Sequence, residues 1–136
     1  MLIPVPIPHL FLIALGGGAG AVLRFLTGHW VNRAMPGTGY PWGTFAVKVI
    51  GGFVIGIAIM WTIEHGSMSR TRLLTITGFL GGFTTFSAFS LEMSEMLIDR
   101  RYVVAAAYSL SSLLICVGAA LLGAVVGAAI FRGATR

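Results

Sequence analysis

Gly78-Phe79-Leu80-Gly81-Gly82-Phe83-Thr84-Thr85-Phe86-Ser87-Ala88-Phe89-Ser90 lies inside a stretch, Leu73 to Leu91, that carries no charge. Such a stretch suffices to cross the hydrocarbon core of a bilayer, which takes about 20 apolar residues. The Gly81-Gly82 pair and two threonines, Thr84 and Thr85, therefore fall at mid-membrane depth. Glycine pairs and hydroxyl residues favour a helix break, and the backbone groups that a break frees must be satisfied within the protein. The residues alone leave two outcomes open. One is a kink whose carbonyls bond neighbouring hydroxyls. The other is a full break whose carbonyls meet those of a second copy at a symmetry axis and hold a small cation, for which carbonyl oxygen is a hard ligand.

Three more apolar stretches flank this one. Leu10 to Trp30 is interrupted only by Arg24, Trp42 to Ile63 only by Lys48, and Val103 to Phe131 by no charge at all. The third stretch continues amphipathically to about Ile98. The predicted helices are thus about 10–30, 42–63, 73–98 and 102–131, in a single transmembrane domain over residues 1–136. Pro4, Pro6 and Pro8 are expected to keep the start extended, and Pro41 suits the first turn of the second helix. Glu64 to Arg70 and Asp99-Arg100-Arg101 read as connections. The lack of an early basic residue or a cleavage site predicts a retained first helix rather than a signal peptide. Trp30, Tyr40, Trp42, Trp61 and Tyr102 fall near predicted helix ends, where amphipathic rings favour the headgroup level.

Composition agrees with an all-α integral membrane protein. Of 136 residues, 57 % are hydrophobic and only 10 % charged, against roughly 25 % charged in soluble domains. The net charge of +5 comes from basic residues scattered singly or in pairs; a nucleic-acid footprint would be a clustered stripe. The single cysteine, Cys116, excludes an intramolecular disulfide. Nothing supports an enzyme. His9, His29 and His65 lie in separate segments, no carboxylate pair faces a cleft, and the glycine string at Gly16–Gly20 lacks the strand and acidic residue of a dinucleotide fingerprint.

Four spans place Arg70, Arg72, Arg132 and Arg136 on one membrane face and Arg33, Arg100 and Arg101 on the other. Orientation follows the bias of Lys and Arg toward the cytoplasm, and here that bias is close to zero. A chain of this kind is expected to insert both ways round and to pair as an antiparallel, dual-topology dimer. Gly16/Gly20, Gly52/Gly56, Gly78/Gly82 and Gly123/Gly127 are each four apart, a spacing that lets helix backbones approach closely in lipid.

Several polar and aromatic side chains share helical faces. Phe86 and Phe89 are three apart, and their ring edges carry partial positive charge suited to a small anion. Ser87, Ser90 and Ser94 form a hydroxyl stripe. Tyr108, Ser112 and Cys116 follow one another at four-residue steps, as do Thr44 and Lys48. Core packing accounts for these faces equally well at this stage. Lys48 lies about two turns inside Trp42, where a cation costs about 2.5–3.5 kcal/mol on insertion scales; it should face a cavity, an anion or a carboxylate such as Glu92, or give up its proton on burial, since snorkelling is only partly adequate from that depth.

The sequence resembles the CrcB/Fluc family of fluoride channels from Gly16 to about Ile130. The matching stretches are Gly20-Ala21-Val22-Leu23-Arg24-Phe25, Gly43-Thr44-Phe45-Ala46-Val47-Lys48-Val49-Ile50-Gly51 and, most specifically, Gly78 through Glu92. The resemblance implies a four-helix subunit with a broken third helix, assembled as an antiparallel homodimer in the inner membrane with two fluoride pores. It implies that Phe86 and Phe89 line the fluoride path, with Tyr108, Ser112, Thr44 and Glu92 as a polar track. It also implies that the carbonyls of Gly81 and Thr84 hold a structural sodium ion at the dimer axis, and that Arg24 matches an arginine near the end of the first helix. Lys48 departs from the family's asparagine: a protonated lysine donates more strongly and adds a full charge. The implied activity is passive fluoride export that lowers cytoplasmic toxicity. A small dual-topology multidrug exporter is the first rival, but it wants a glutamate in the first helix. A non-conducting structural subunit is the second.

Overall fold

The computed structural model describes residues 6–65 and 70–133. Those residues form helices α1 (Ile7–Ala34), α2 (Trp42–His65), α3 (Arg70–Arg72), α4 (Gly81–Phe83), α5 (Phe86–Ile98) and α6 (Tyr102–Gly133), with a π-helical segment over Leu73–Leu80 joining α3 to α4. Four spans are long and apolar enough to cross a membrane: Ile7–Ala34, Trp42–Glu64, Arg70–Ile98 and Tyr102–Phe131. Residues 66–69 of the expected 64–70 connection, Pro4 and Arg136 lie outside the described residues.

The first helix begins earlier than its sequence suggests. Pro6 is the extended N-cap residue and Pro8 sits within the first turn. Proline is tolerated there because its missing N–H has no helical acceptor to lose. The expectation that Pro6 and Pro8 together keep the chain extended therefore fails at Pro8.

The glycine pairs are spent on contacts within the chain. A Cβ on Gly16 would stand 2.8 Å from the Phe79 amide nitrogen, one on Gly82 would stand 2.9 Å from the Gly17 Cα, and one on Gly20 would stand 2.8 Å from the Phe83 amide nitrogen. Here α1 lies backbone to backbone on the π segment and α4. The second and fourth spans meet in the same way: a Cβ on Gly56 would come within 2.7 Å of the Ala124 amide nitrogen, and one on Gly127 within 3.0 Å of the Ile57 Cα. Close approach of this kind replaces the hydrophobic drive that lipid removes.

Few side chains are sequestered by these pairings. Val47, Leu80, Phe83, Met96, Ala105 and Tyr108 form the buried apolar set together with Met60. Most large apolar side chains on α1 and α6 face outward, as a lipid solvent requires.

Local caps fix the connections. Asn32, near the end of α1, accepts the Gly43 amide hydrogen on its Oδ1 at 2.7 Å, supplying one of the first-turn donors of α2. Gly37 and Gly39 take φ of 78° and 65° in the turn between the two helices, and Arg101 donates to the Gly39 carbonyl. Replacing Asn32 by alanine is expected to cost about 1 kcal/mol, seen as a lower thermal midpoint of the detergent-solubilised protein; an unchanged midpoint would show the cap to be dispensable.

Candidate functional site

The third span is interrupted at Thr84-Thr85, one residue beyond the helical Gly81-Gly82-Phe83 turn. α4 ends at Phe83, Thr84 and Thr85 are extended (φ −102°, ψ 119° and φ −130°, ψ 141°), and α5 restarts at Phe86. A helix end leaves its last four carbonyls without intrahelical donors. That of Leu80 is supplied by both the amide and the hydroxyl of Thr84, each at 2.9 Å, so the kink-and-hydroxyl outcome holds for one carbonyl. Gly81 keeps a helical backbone and Thr84 does not; the two residues flank the end of the helix. On the other side of the break, no side chain caps α5. Its first N–H groups carry the positive end of the helix dipole.

Arg24 reaches this break from α1. One guanidinium nitrogen donates to the Thr85 hydroxyl at 3.4 Å, while its Nε is buried without a hydrogen-bond partner. Its placement there fits a role in holding the broken segment.

A polar column runs beside the break through α2, α5 and α6. The Thr44 hydroxyl donates to one oxygen of Glu92. The Tyr108 hydroxyl donates to the other at 2.7 Å. Tyr108 is fully buried, and its ring centroid lies 5.1 Å from that of Phe89, which in turn lies 5.3 Å from Phe86. Lys48 donates to the Ser112 hydroxyl at 3.0 Å. Its Nζ stands 4.1 Å from the Phe89 centroid and 4.3 Å from that of Tyr108. Of the partners anticipated for Lys48, the structure provides a cavity and ring faces at contact, and Glu92 as a nearby charge that hydrogen-bonds Thr44 and Tyr108 rather than the ammonium.

Three clefts converge on the column. One of about 380 Å³ is lined by Lys48, Thr85, Phe86, Phe89 and Ser112. A second of about 390 Å³, under the turn after α1, reaches Glu92, Glu95, Asp99 and Arg101, so the expectation that no carboxylate pair faces a cleft fails here, because the turn after α1 folds over the carboxylate-bearing end of α5. A third of about 360 Å³ takes in Arg24, His29, Asn32 and Thr44. Each of the three is lined in part by a member of the column: Lys48, Phe89 and Ser112 in the first, Glu92 in the second and Thr44 in the third.

Some expected members fall elsewhere. Ser90 and Ser94 turn their hydroxyls back to the carbonyls of Phe86 and Ser90, at 3.1 and 2.8 Å, and add nothing to the column. Cys116, a half-buried free thiol, by contrast stays with the column, near enough to Lys48 for the two to interact electrostatically. Two members went unanticipated. Thr85 bridges Arg24 and the cleft, and its signal was present in the Thr84-Thr85 pair. Tyr40 packs edge-on to Tyr108 at 5.4 Å and shares a 2.6 Å hydrogen bond with Ser111; a turn residue outside any periodic pattern gives no sequence signal for this.

Four spans, a break in the third and a polar column between clefts characterise a small multi-pass membrane protein. Residues 11–124 match the family described as CrcB-like protein, Camphor Resistance (CrcB). The chain is 43 % identical over 124 residues to a protein of Caulobacter vibrioides (strain NA1000 / CB15N) named fluoride-specific ion channel FluC, covering 90 % of this chain and 97 % of that one. It is 45 % identical over 123 residues to a protein of the same name from Rhizobium etli (strain CIAT 652), covering 90 % and 94 %. A third of that name, from Hahella chejuensis, is 42 % identical over 112 residues, covering 81 % and 87 %. The chain belongs to the CrcB family.

Proposed function

We propose that this chain is a fluoride-selective channel of the bacterial inner membrane that passively exports fluoride and lowers its toxicity. The observation that carries the proposal is the convergence on one cleft of an intramembrane ammonium, the uncapped start of α5 and the Phe86 and Phe89 rings. Each offers positive potential to a small anion, and a family whose similar members are named fluoride channels supplies the ion. Phe86 and Phe89 present ring edges and Ser112, whose oxygen accepts from Lys48, offers its O–H, while Thr44 and Tyr108 donate theirs to Glu92 and turn from it to meet an anion. Lys48 adds charge. Arg24 is structural.

The working unit in this proposal is an antiparallel homodimer inserted in both orientations, with two pores. The near-zero basic bias supports it, as does the 76 % exposure of Phe86 on a single chain, which a second copy would cover. The carbonyls of Gly81 and Thr84 fit a sodium ion at the dimer axis, because both are hard oxygen donors at a helix end with unsupplied carbonyls. Bound there, the ion would neutralise carbonyl dipoles that face each other across the axis.

Purified protein in liposomes loaded with potassium fluoride should release fluoride to an electrode once valinomycin is added, and should retain chloride under the same conditions. No fluoride release would sink the proposal; cationic dye transport in its place would point to an exporter.

A further inference from the structure

We infer that Lys48 is a specificity-determining residue whose ammonium creates a tight, slowly released fluoride site, so that flux saturates at low fluoride. The inference rests on the fluoride-channel proposal above. Lys48 has three N–H donors and no acceptor. One donor goes to Ser112, and Nζ otherwise faces the rings of Phe89 and Tyr108. Ring faces attract a cation by about 2 kcal/mol when desolvated, which offsets part of the insertion cost but supplies no countercharge. Glu92 accepts from the hydroxyls of Thr44 and Tyr108 and makes no hydrogen bond to the ammonium, so its charge acts on Lys48 only at a distance. Among the described residues no carboxylate is hydrogen-bonded to the ammonium, which is held beside Ser112 on the wall of a cleft that also contains Thr85 and Phe86 and is attracted by Glu92 only across a gap.

The same geometry says which anion gains. Nζ occupies the negative faces of Phe89 and of the buried Tyr108, and of the two only Phe89 also lines the cleft. A compact charge beside hydroxyl donors and ring edges is a strong-field site. Such a site recovers more of the dehydration cost of a small hard anion than of a large one, because Coulomb attraction grows as the ions approach. Conduction, however, requires that an ion leave as well as enter. A full charge deepens the well, so occupancy rises and the maximal rate falls.

The test compares the full-length protein with Lys48→Asn, which keeps a hydrogen-bond donor but removes the charge. Fluoride efflux from liposomes is measured across fluoride concentrations, and fluoride binding to the detergent-solubilised protein is measured by calorimetry. Lys48→Asn should raise both the half-saturating fluoride and the maximal rate by about tenfold, the equivalent of about 1.4 kcal/mol in the well. A half-saturation within about twofold of the parent, on the same scale, overturns the inference. Should Lys48→Asn fail to give a monodisperse protein, Lys48→Met is read by the same criteria. If neither parent nor variant passes fluoride, the channel proposal has failed and calorimetry alone decides for Lys48. Fluoride binding in the parent that is lost in the variant sustains the cationic site, and equal or absent binding in both overturns it.

Discussion

Gly20→Val is expected to abolish the assembled protein. A Cβ at this position already stands 2.8 Å from the Phe83 amide nitrogen and 3.0 Å from the Phe79 carbonyl carbon. Both are backbone atoms, so no rotamer change relieves the overlap. Overpacking a core usually costs about 1–3 kcal/mol. Here α1 must separate from the π segment and α4 along their length, which also strips contacts at Gly16, Gly17 and Gly78. The expected loss is on the order of 4 kcal/mol or more, in the range where a small domain stops being populated. Size-exclusion chromatography in detergent should show Gly20→Val as aggregate or as no recovered protein. Gly18→Ala and Gly118→Ala supply the contrast. A Cβ at either meets nothing within 4 Å, and alanine is the better helix former. Both variants should elute as the parent does. A monodisperse Gly20→Val would mean that α1 docks by some other face.

The same glycines show how far the sequence goes. A four-residue spacing announces that a helix face is small enough for close approach, and each spaced pair is indeed used. It does not name the partner. That Gly16 and Gly20 meet the third span while Gly52 and Gly56 meet the fourth is decided by connection lengths and helix rotation, neither of which a periodicity carries. The four spans were legible because bilayer thickness fixes their length and composition. The π geometry over Leu73–Leu80 was not, since one hydrogen-bond register is as apolar as another. Pro8 misplaced a boundary because proline forbids a helix interior but not its first turn.

The site was legible in its members more than in its pairings. Thr44 and Lys48 share a face of α2, and Tyr108 and Ser112 share a face of α6, as their spacings require. Spacing gives a face and leaves open which polar atom answers which. Thr44 and Tyr108 together occupy Glu92, and that leaves Lys48 to the rings. Ser90 and Ser94 had the right period and a cheaper partner: the carbonyl four residues back on their own helix. Tyr40 belongs to a turn, where no period exists to be read.

Phe89→Leu is expected to lower fluoride efflux by about a hundredfold or more, the equivalent of about 2.7 kcal/mol at the barrier. Phe89 is the ring through which the column communicates: it contacts Phe86 at 5.3 Å, Tyr108 at 5.1 Å and the Lys48 ammonium at 4.1 Å. Leucine fills much of the same volume, so the protein should still elute as a single species. It has no quadrupole, and so offers neither an edge to an anion nor a face to a cation. Both losses act in one direction. The anion loses a weak partner that it could leave easily. The ammonium, with one ring face gone, turns more fully toward the anion and holds it longer. Phe11→Leu is the matched control, because Phe11 is 67 % exposed on α1 and away from the column; its efflux should equal the parent's. If Phe89→Leu liposomes release fluoride within about threefold of the parent rate, a difference below 1 kcal/mol, ring edges at this position play no part in permeation, and the path must run along the hydroxyls of Thr44, Tyr108 and Ser112 alone.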